Sequence, residues 1–210
     1  MVDAAVGGGG LIQIPALLST FPQTAIPTLF GTNKLSSIAG TGASLRRYAR
    51  AVRIPWRLVL PATAAALVGA WFGAAVVAWI PREAMRPLVV VMMLAVAIYT
   101  FLRKNLGQEE THEPRPGDLW RGALFGLVIG FYDGFFGPGT GSFLIFGFVR
   151  VFGMDFVRAS ASAKVINFAT NLSAITFFAS HGPILWAIGL TMAVCNLAGA
   201  WVGTHLALKH

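Results

Sequence analysis

Two long uncharged stretches constrain this chain more than any other feature of its sequence. Residues 58–80 and 182–204 contain no Asp, Glu, Lys, Arg or His. At a rise of 1.5 Å per residue, each stretch is long enough to cross the ~30 Å hydrocarbon core of a bilayer as a helix. Only 11% of the 210 residues are charged, against about 25% in a soluble domain. The sequence therefore predicts an integral membrane protein, with the lipid bilayer as a partner.

The net charge of +8 comes largely from basic residues at the ends of apolar segments. One group is Arg46, Arg47, Arg50, Arg53 and Arg57, and another is Arg103 and Lys104. This is the pattern of the positive-inside rule, so we expect 46–57 and 103–104 to be cytoplasmic and predict no nucleic-acid binding.

The remaining polar residues give little support for catalysis. The four histidines have no metal-ligand spacing, and the sequence shows neither paired carboxylates nor a Ser-His-Asp set. We therefore predict no metal, no cofactor and no enzymatic activity.

An offset of 130 residues aligns the chain with itself and indicates an internal duplication. Asp3 falls on Asp133, Lys34 falls on Lys164, and LVGAWFG at 67–73 falls on LAGAWVG at 197–203. These matches include residues that apolar bias does not explain. The repeat predicts three parts: a first membrane repeat at 1–102, a polar cytoplasmic linker at 103–118 and a second membrane repeat at 119–210.

The predicted repeat has five elements. A first helix is found only at 119–136, and a fifth only at 85–102. Between them come a short apolar segment (11–21 and 142–152), a lysine-bearing segment (24–45 and 156–180) and a long apolar span (55–80 and 183–208). On this interpretation the first repeat lacks its first helix and the second repeat lacks its last.

The orientation of the repeats depends on the short second element. If it crosses the membrane, each repeat has five crossings and the second repeat is inverted relative to the first. If it is re-entrant, the repeats are parallel, which puts Arg150 and Arg158 on the outside. The charge pattern favours inversion. The predicted fold is thus an all-α polytopic membrane protein with two homologous helical repeats, inverted, and glycine-rich helix breaks near the midplane.

Glycine-rich breaks interrupt apolar sequence once in each repeat. The second lies within Gly130–Phe143, where Pro138 and nearby glycines disfavour a continuous helix. Irregular backbone at membrane depth is tolerated only where it is buried in protein or lines a cavity. Such a break presents backbone N–H groups and the positive end of a helix dipole, which favour an anion. The predicted anion-binding residues here are Gly7, Gly8, Gly9, Gly10, Gly137, Gly139, Thr140, Gly141 and Ser142. Close helix packing through small residues is the alternative.

Lys34 and Lys164 are lysines at equivalent positions in apolar segments. A lysine at the centre of a membrane helix costs ~2.5–3.5 kcal/mol on insertion scales. We predict that both face a shared cavity and bind an anion, with Asn33 and Asn167 as hydrogen-bonding neighbours. The alternative is a buried ion pair with Asp3 or Asp133. These two acids could instead hold the glycine loop by accepting backbone N–H bonds, or bind a coupling proton.

Four motifs resemble the sulfite exporter TauE/SafE family, also called the TSUP permeases. They are VDAAVGGGGLIQIPAL at 2–17, GTNKL at 31–35, GFYDGFFGPGTGSFL at 130–144 and ASAKVIN at 161–167. The resemblance implies a multi-pass permease of the inner membrane that moves sulfite, sulfoacetate or other organosulfonates.

We therefore expect a secondary transporter for a small, sulfur-containing oxyanion. The alternatives are an anion channel and a membrane subunit or fragment that does not transport. Direction, coupling ion and assembly into a homo-oligomer are left open by the sequence.

Overall fold

The computed structural model describes residues 9–102 and 117–209, which form eight α-helices and no β-strand within those ranges. The helices are α1 (Gly10–Thr20), α2 (Ile26–Ala51), α3 (Trp56–Trp79), α4 (Arg82–Leu102), α5 (Asp118–Phe135), α6 (Thr140–Arg150), α7 (Phe156–His181) and α8 (Trp186–Lys209). Asp3, Gly7, Gly8 and most of the predicted linker lie outside the described residues.

Most helix bounds fall within a few residues of those predicted, and α2 is the exception. The sequence predicted a segment over 24–45, whereas the helix runs to Ala51 and includes three of the arginines assigned to the flanking loop. The chain from Ala43 to Ile54 holds no glycine or proline, so nothing ends the helix early. Val52 is extended, shortly before Pro55, a residue that disfavours helix at the position preceding it.

The helix pattern recurs at the interval of 130 residues. Adding 130 to both bounds of α1, α2 and α3 gives the bounds of α6, α7 and α8. The contacts follow the same rule, because α2 packs on α8 as α7 packs on α3. Hydrogen bonds cross both helix pairs. Asn196 of α8 donates to the Ser36 carbonyl oxygen of α2 at 3.1 Å, and the Ser173 hydroxyl of α7 donates to the Leu67 carbonyl oxygen of α3 at 2.8 Å.

Helices α3 and α5 form the most extensive helix pair of the described structure. Glycines every fourth residue on α5 lie against alanines on α3. A Cβ added at Gly126, Gly130 or Gly134 would overlap the carbonyl oxygen of Ala62, Ala66 or Ala70, respectively. The two backbones therefore approach as closely as small residues allow. This contact fixes α5, which leads into the second glycine break.

Large apolar side chains cover much of the outer surface of the described helices. Leu60, Phe72, Val91 and Leu190 are all more than half exposed. Tryptophans lie exposed at or near helix ends: Trp56, Trp79, Trp120 and Trp186. By length and composition, two of the described helices could each cross a membrane, over Trp56–Trp79 and Trp186–His205. Exposed apolar bodies with tryptophan at their ends suit a lipid environment.

Candidate functional site

The chain breaks from helical geometry between α5 and α6. Gly137 has φ of +93° and Gly139 has φ of +83°, a region that residues with a Cβ rarely adopt. The Tyr132 hydroxyl donates to the Pro138 carbonyl oxygen at 2.6 Å across the turn. The break is narrower than the stretch singled out in the sequence, because the helix continues through Gly130 to Phe135.

An ion pair between the two halves of the chain lies at this break. The Lys34 Nζ of α2 is 2.9 Å from the Asp133 Oδ1 of α5, and it donates to the Asp133 carbonyl oxygen at 2.6 Å. Both residues are buried, at 2% and 1% exposure. The buried pair raised as an alternative from the sequence is therefore present. It neutralises both charges, and removing one partner of such a pair is strongly destabilising.

Gly137 allows this approach. A Cβ at Gly137 would lie 2.9 Å from Lys34 Nζ and 3.3 Å from Asp133 Oδ1. Any side chain here would therefore enter the space that the ammonium and the carboxylate share. The glycine meets two demands, since it supplies the positive φ and leaves room for the lysine.

Asp133 has a second side-chain partner but keeps one oxygen unpaired. The Thr140 hydroxyl, at the start of α6, lies 2.8 Å from Asp133 Oδ1 and 2.7 Å from the Gly137 carbonyl oxygen. Asp133 Oδ2 has no hydrogen-bond partner among the described residues. The carboxylate thus contacts side chains, whereas one sequence interpretation had it accept backbone N–H bonds.

A narrow polar cavity adjoins the ion pair. The cavity has a volume of about 20 Å³, which is enough for a water molecule. Nine residues line it: Gly10, Asn33, Lys34, Ser37, Thr41, Asp133, Gly137, Asn167 and Asn171. Asn171 donates to Asn167 Oδ1 at 3.1 Å. The cavity is a polar pocket inside a largely apolar bundle.

Positions 130 residues apart in the sequence contribute to this lining. Ser37 and Thr41 lie three and seven residues after Lys34 on one face of α2, and Asn167 and Asn171 are their counterparts on α7 at the offset of 130. Lys164 occupies the position on α7 that Lys34 occupies on α2. It is buried at 1% exposure, but the described lining includes Lys34 and not Lys164.

The described part of the first glycine break lies against the second. Gly9 forms a turn before α1, and a Cβ on Gly10 would lie 3.1 Å from Pro138 Cγ. Thr140, Gly141 and Ser142 are buried in the first turn of α6. Among the predicted site residues that the structure describes, it thus brings Gly10, Asn33, Lys34, Asp133, Gly137 and Asn167 to one cavity.

Sequence reasoning did not single out three polar residues near the site. Ser37 and Thr41 line the cavity, and Gln13 of α1 accepts from Asn33 Nδ2 at 2.8 Å. Helical spacing from Lys34 could have identified Ser37 and Thr41. No local signal marks Gln13, because its role depends on how α1 packs against α2.

Comparison with known proteins decides the family. The family described as "Sulfite exporter TauE/SafE" matches residues 1–210. The chain belongs to the TauE/SafE family. The family resemblance inferred from the four motifs is thereby confirmed.

Several curated relatives of this TauE/SafE protein are named as membrane transporters. "Probable membrane transporter protein ORF9" of a Sinorhizobium species is 36% identical over 99% of this chain and 78% of its own length. A "Probable membrane transporter protein" of Haemophilus influenzae is 35% identical over 99% of this chain and 80% of its own. "Probable membrane transporter protein YfcA" of Escherichia coli is 31% identical over 99% and 76%, respectively. No solved structure gives a significant match.

Proposed function

We propose that this protein is a multi-pass permease of the inner membrane that carries a small, sulfur-containing oxyanion as a secondary transporter. Family membership and the names of the relatives support transport across a membrane. The single observation that carries the proposal is the buried lysine–aspartate pair beside a polar cavity at a helix break. Intramembrane charges of this kind commonly mark a substrate pathway.

The groups around the cavity suit an oxyanion. Lys34 supplies a positive charge, while Asn33, Ser37, Thr41 and Asn167 carry amide N–H or hydroxyl donors. Gly10, the first residue of α1, also lines the cavity, so the positive end of this helix dipole lies beside it. Lys164 and the glycines of the first break complete the proposed site by the repeat symmetry. A sulfur oxyanion offers several acceptor oxygens to such donors.

The proposed site is built from both repeats, which suits alternating access. Lys34 and Thr41 come from the first repeat, and Asp133, Asn167 and Asn171 come from the second. A cavity of about 20 Å³ is too small for an oxyanion unless the surrounding helices separate. Rocking of one inverted repeat against the other would open the site to each side in turn. This geometry favours a carrier over a static anion channel.

Transport in proteoliposomes tests the proposal. We expect radiolabelled sulfite, thiosulfate or an alkyl sulfonate to enter with saturable kinetics and to exchange in counterflow. Replacing Lys164 with Gln should abolish this flux while the protein still reaches the membrane, because the second buried cation of the proposed site is lost. Arg53→Gln, which removes an exposed charge, is the matched control and should transport normally.

Three results would contradict the proposal in different ways. Unchanged flux in Lys164→Gln would remove that lysine from the site. Flux that neither saturates nor exchanges would favour a channel. Absence of flux for all three anions with the wild-type protein would favour a membrane subunit that does not transport.

A further inference from the structure

The unpaired oxygen of Asp133 points to a function beyond holding Lys34. Asp133 is 1% exposed and lines the cavity, yet its Oδ2 has no hydrogen-bond partner among the described residues. Oδ1 already accepts from Lys34 at 2.9 Å and lies 2.8 Å from the Thr140 hydroxyl. A buried carboxylate with an unsatisfied oxygen is costly unless that oxygen gains a partner. A proton on Oδ2 would neutralise the carboxylate and make this oxygen a donor to an acceptor in the cavity, such as a water or a substrate oxygen, and would leave the contacts of Oδ1 geometrically intact.

The charges at the cavity leave no net positive charge for a substrate anion while Asp133 is ionised. Lys34 is the cation of the described lining, and Asp133 balances it. An anion placed beside Lys34 would face the carboxylate in a poorly solvated space, where repulsion between like charges is strong. Neutralising the carboxylate removes that repulsion and leaves the ammonium charge for the anion.

We propose that Asp133 is an internal counter-ion of Lys34 that takes up a proton at Oδ2 when the substrate anion binds, so that anion and proton cross the membrane together. This inference rests on the proposed transport function. The proton comes from water on the side to which the cavity opens, and it forms an O–H bond at Oδ2. When the anion leaves on the other side, that bond breaks, the proton returns to water and the Lys34–Asp133 pair forms again. No electrons are transferred.

Among the described residues, the surroundings of Asp133 make it the best candidate for the group that takes up the proton. Lys34 faces it from α2, and the Tyr132 hydroxyl beside it on α5 is committed to the Pro138 carbonyl oxygen. Helix α6 offers the Thr140 hydroxyl, and α7 carries Lys164 one turn before Asn167. Asp133 is thus the carboxyl group of the described lining, and its nearest charged neighbour is the cation that the anion needs.

Proton coupling can be measured with anions whose own charge does not change with pH. Thiosulfate and methanesulfonate keep their charge across the mildly acidic to mildly basic range, unlike sulfite. In wild-type proteoliposomes, an inward proton gradient should drive accumulation of the labelled anion, and an internal pH dye should report proton entry. The half-saturating concentration should rise by up to about tenfold per pH unit as the pH increases, because one proton is taken up with each anion.

Asp133→Asn should separate movement of the anion from uptake of the proton. The amide is neutral at every pH, so any anion flux that the variant retains should show neither gradient-driven accumulation nor a pH dependence of half-saturation. Asp155→Asn is the matched control. Asp155 accepts from the backbone N–H groups of Val157 and Arg158 at the start of α7 and does not line the cavity, so its variant should stay coupled.

The outcomes distinguish this inference from the proposed function. Anion flux in the wild type without proton entry, or full coupling in Asp133→Asn, overturns the inference and leaves the transport function standing. Absence of flux in the wild type overturns both. If Asp133→Asn does not transport, calorimetry in two buffers of different ionisation enthalpy counts protons taken up on thiosulfate binding. One proton for the wild type and none for the variant supports the inference, and equal proton uptake overturns it.

Discussion

At the scale of the residue, the conformations of Gly137 and Gly139 explain why the break between α5 and α6 is rich in glycine. Both need positive φ, and Gly137 also leaves the space in which Lys34 meets Asp133. Pro138 lies between them and has no backbone N–H group that would require a hydrogen-bond acceptor. Its carbonyl oxygen accepts a hydrogen bond from the Tyr132 hydroxyl. Each residue of the turn therefore meets a separate physical demand, and Gly137 is the one that the ion pair directly requires.

Replacing Gly139 with Ala should destabilise the protein. The position has φ of +83°, and an added Cβ would lie 2.6 Å from Val96 Cγ1. The backbone term alone costs about 1–2 kcal/mol for a residue with a Cβ, and the overlap adds to it. Thermal unfolding in detergent should show a lower midpoint than for the wild type. Gly182→Ala is the control, because Gly182 is extended and its added Cβ would be 3.6 Å from the nearest atom. Equal midpoints for the two variants would contradict this account.

At the scale of the element, the contact between α3 and α5 determines where the break lies. The glycines of α5 and the alanines of α3 bring two backbones together, and α5 then carries Asp133 on its last turn. The contact is reciprocal, since a Cβ on Gly69 or Gly73 of α3 would overlap backbone of α5. A shift of α5 would therefore move Asp133 away from Lys34.

Gly130→Ala tests this contact with a single added methyl group. The Cβ would overlap the Ala66 carbonyl oxygen, so the helices must separate, at a cost of about 1–3 kcal/mol for overpacking. We expect a lower unfolding temperature and reduced anion flux. Val128→Ile adds one carbon on the exposed face of the same helix, where Val128 is 56% exposed, and should change neither. A wild-type unfolding temperature in Gly130→Ala would show that the backbones are not in close contact.

Local patterns in the sequence predict most of the helix bounds but only some of the contacts in the candidate site. Uncharged runs and glycine or proline positions predicted most helix bounds within a few residues, because these signals act along one segment. The sequence does not locate the end of α2, because a cluster of charges favours a loop, whereas Arg46, Arg47 and Arg50 continue the helix. The pairing of Lys34 with Asp133 was one of several alternatives. Its partner is 99 residues away, and only tertiary packing selects it.

At the scale of the whole molecule, the interval of 130 residues relates both helix bounds and helix contacts. Polar residues lie three and seven positions after each of Lys34 and Lys164, and all four of these polar residues line the cavity. The charge pattern of the sequence favours opposite orientations for the two halves. That orientation stays a prediction.

Labelling of introduced cysteines tests the orientation. Cys195 is the single cysteine of the chain, so Cys195→Ser provides the background. Arg53→Cys and Pro183→Cys occupy equivalent exposed positions of the two repeats. Inverted repeats predict that a membrane-impermeant maleimide labels position 183 in intact cells and position 53 only after permeabilisation. Labelling of both positions from the same side would show that the repeats are parallel.

The ion pair between the halves also bears on how the protein is made. Lys34 leaves the ribosome 99 residues before Asp133, so the lysine is made well before the partner that neutralises it. On insertion scales an unpaired lysine at the centre of a membrane helix costs ~2.5–3.5 kcal/mol. The contacts of Lys34 with Asp133 can therefore form only after α5 has been synthesised. Biogenesis of this protein is expected to depend on whatever shelters Lys34 during that interval, and a chain stopped before α5 should be recognised by membrane quality control.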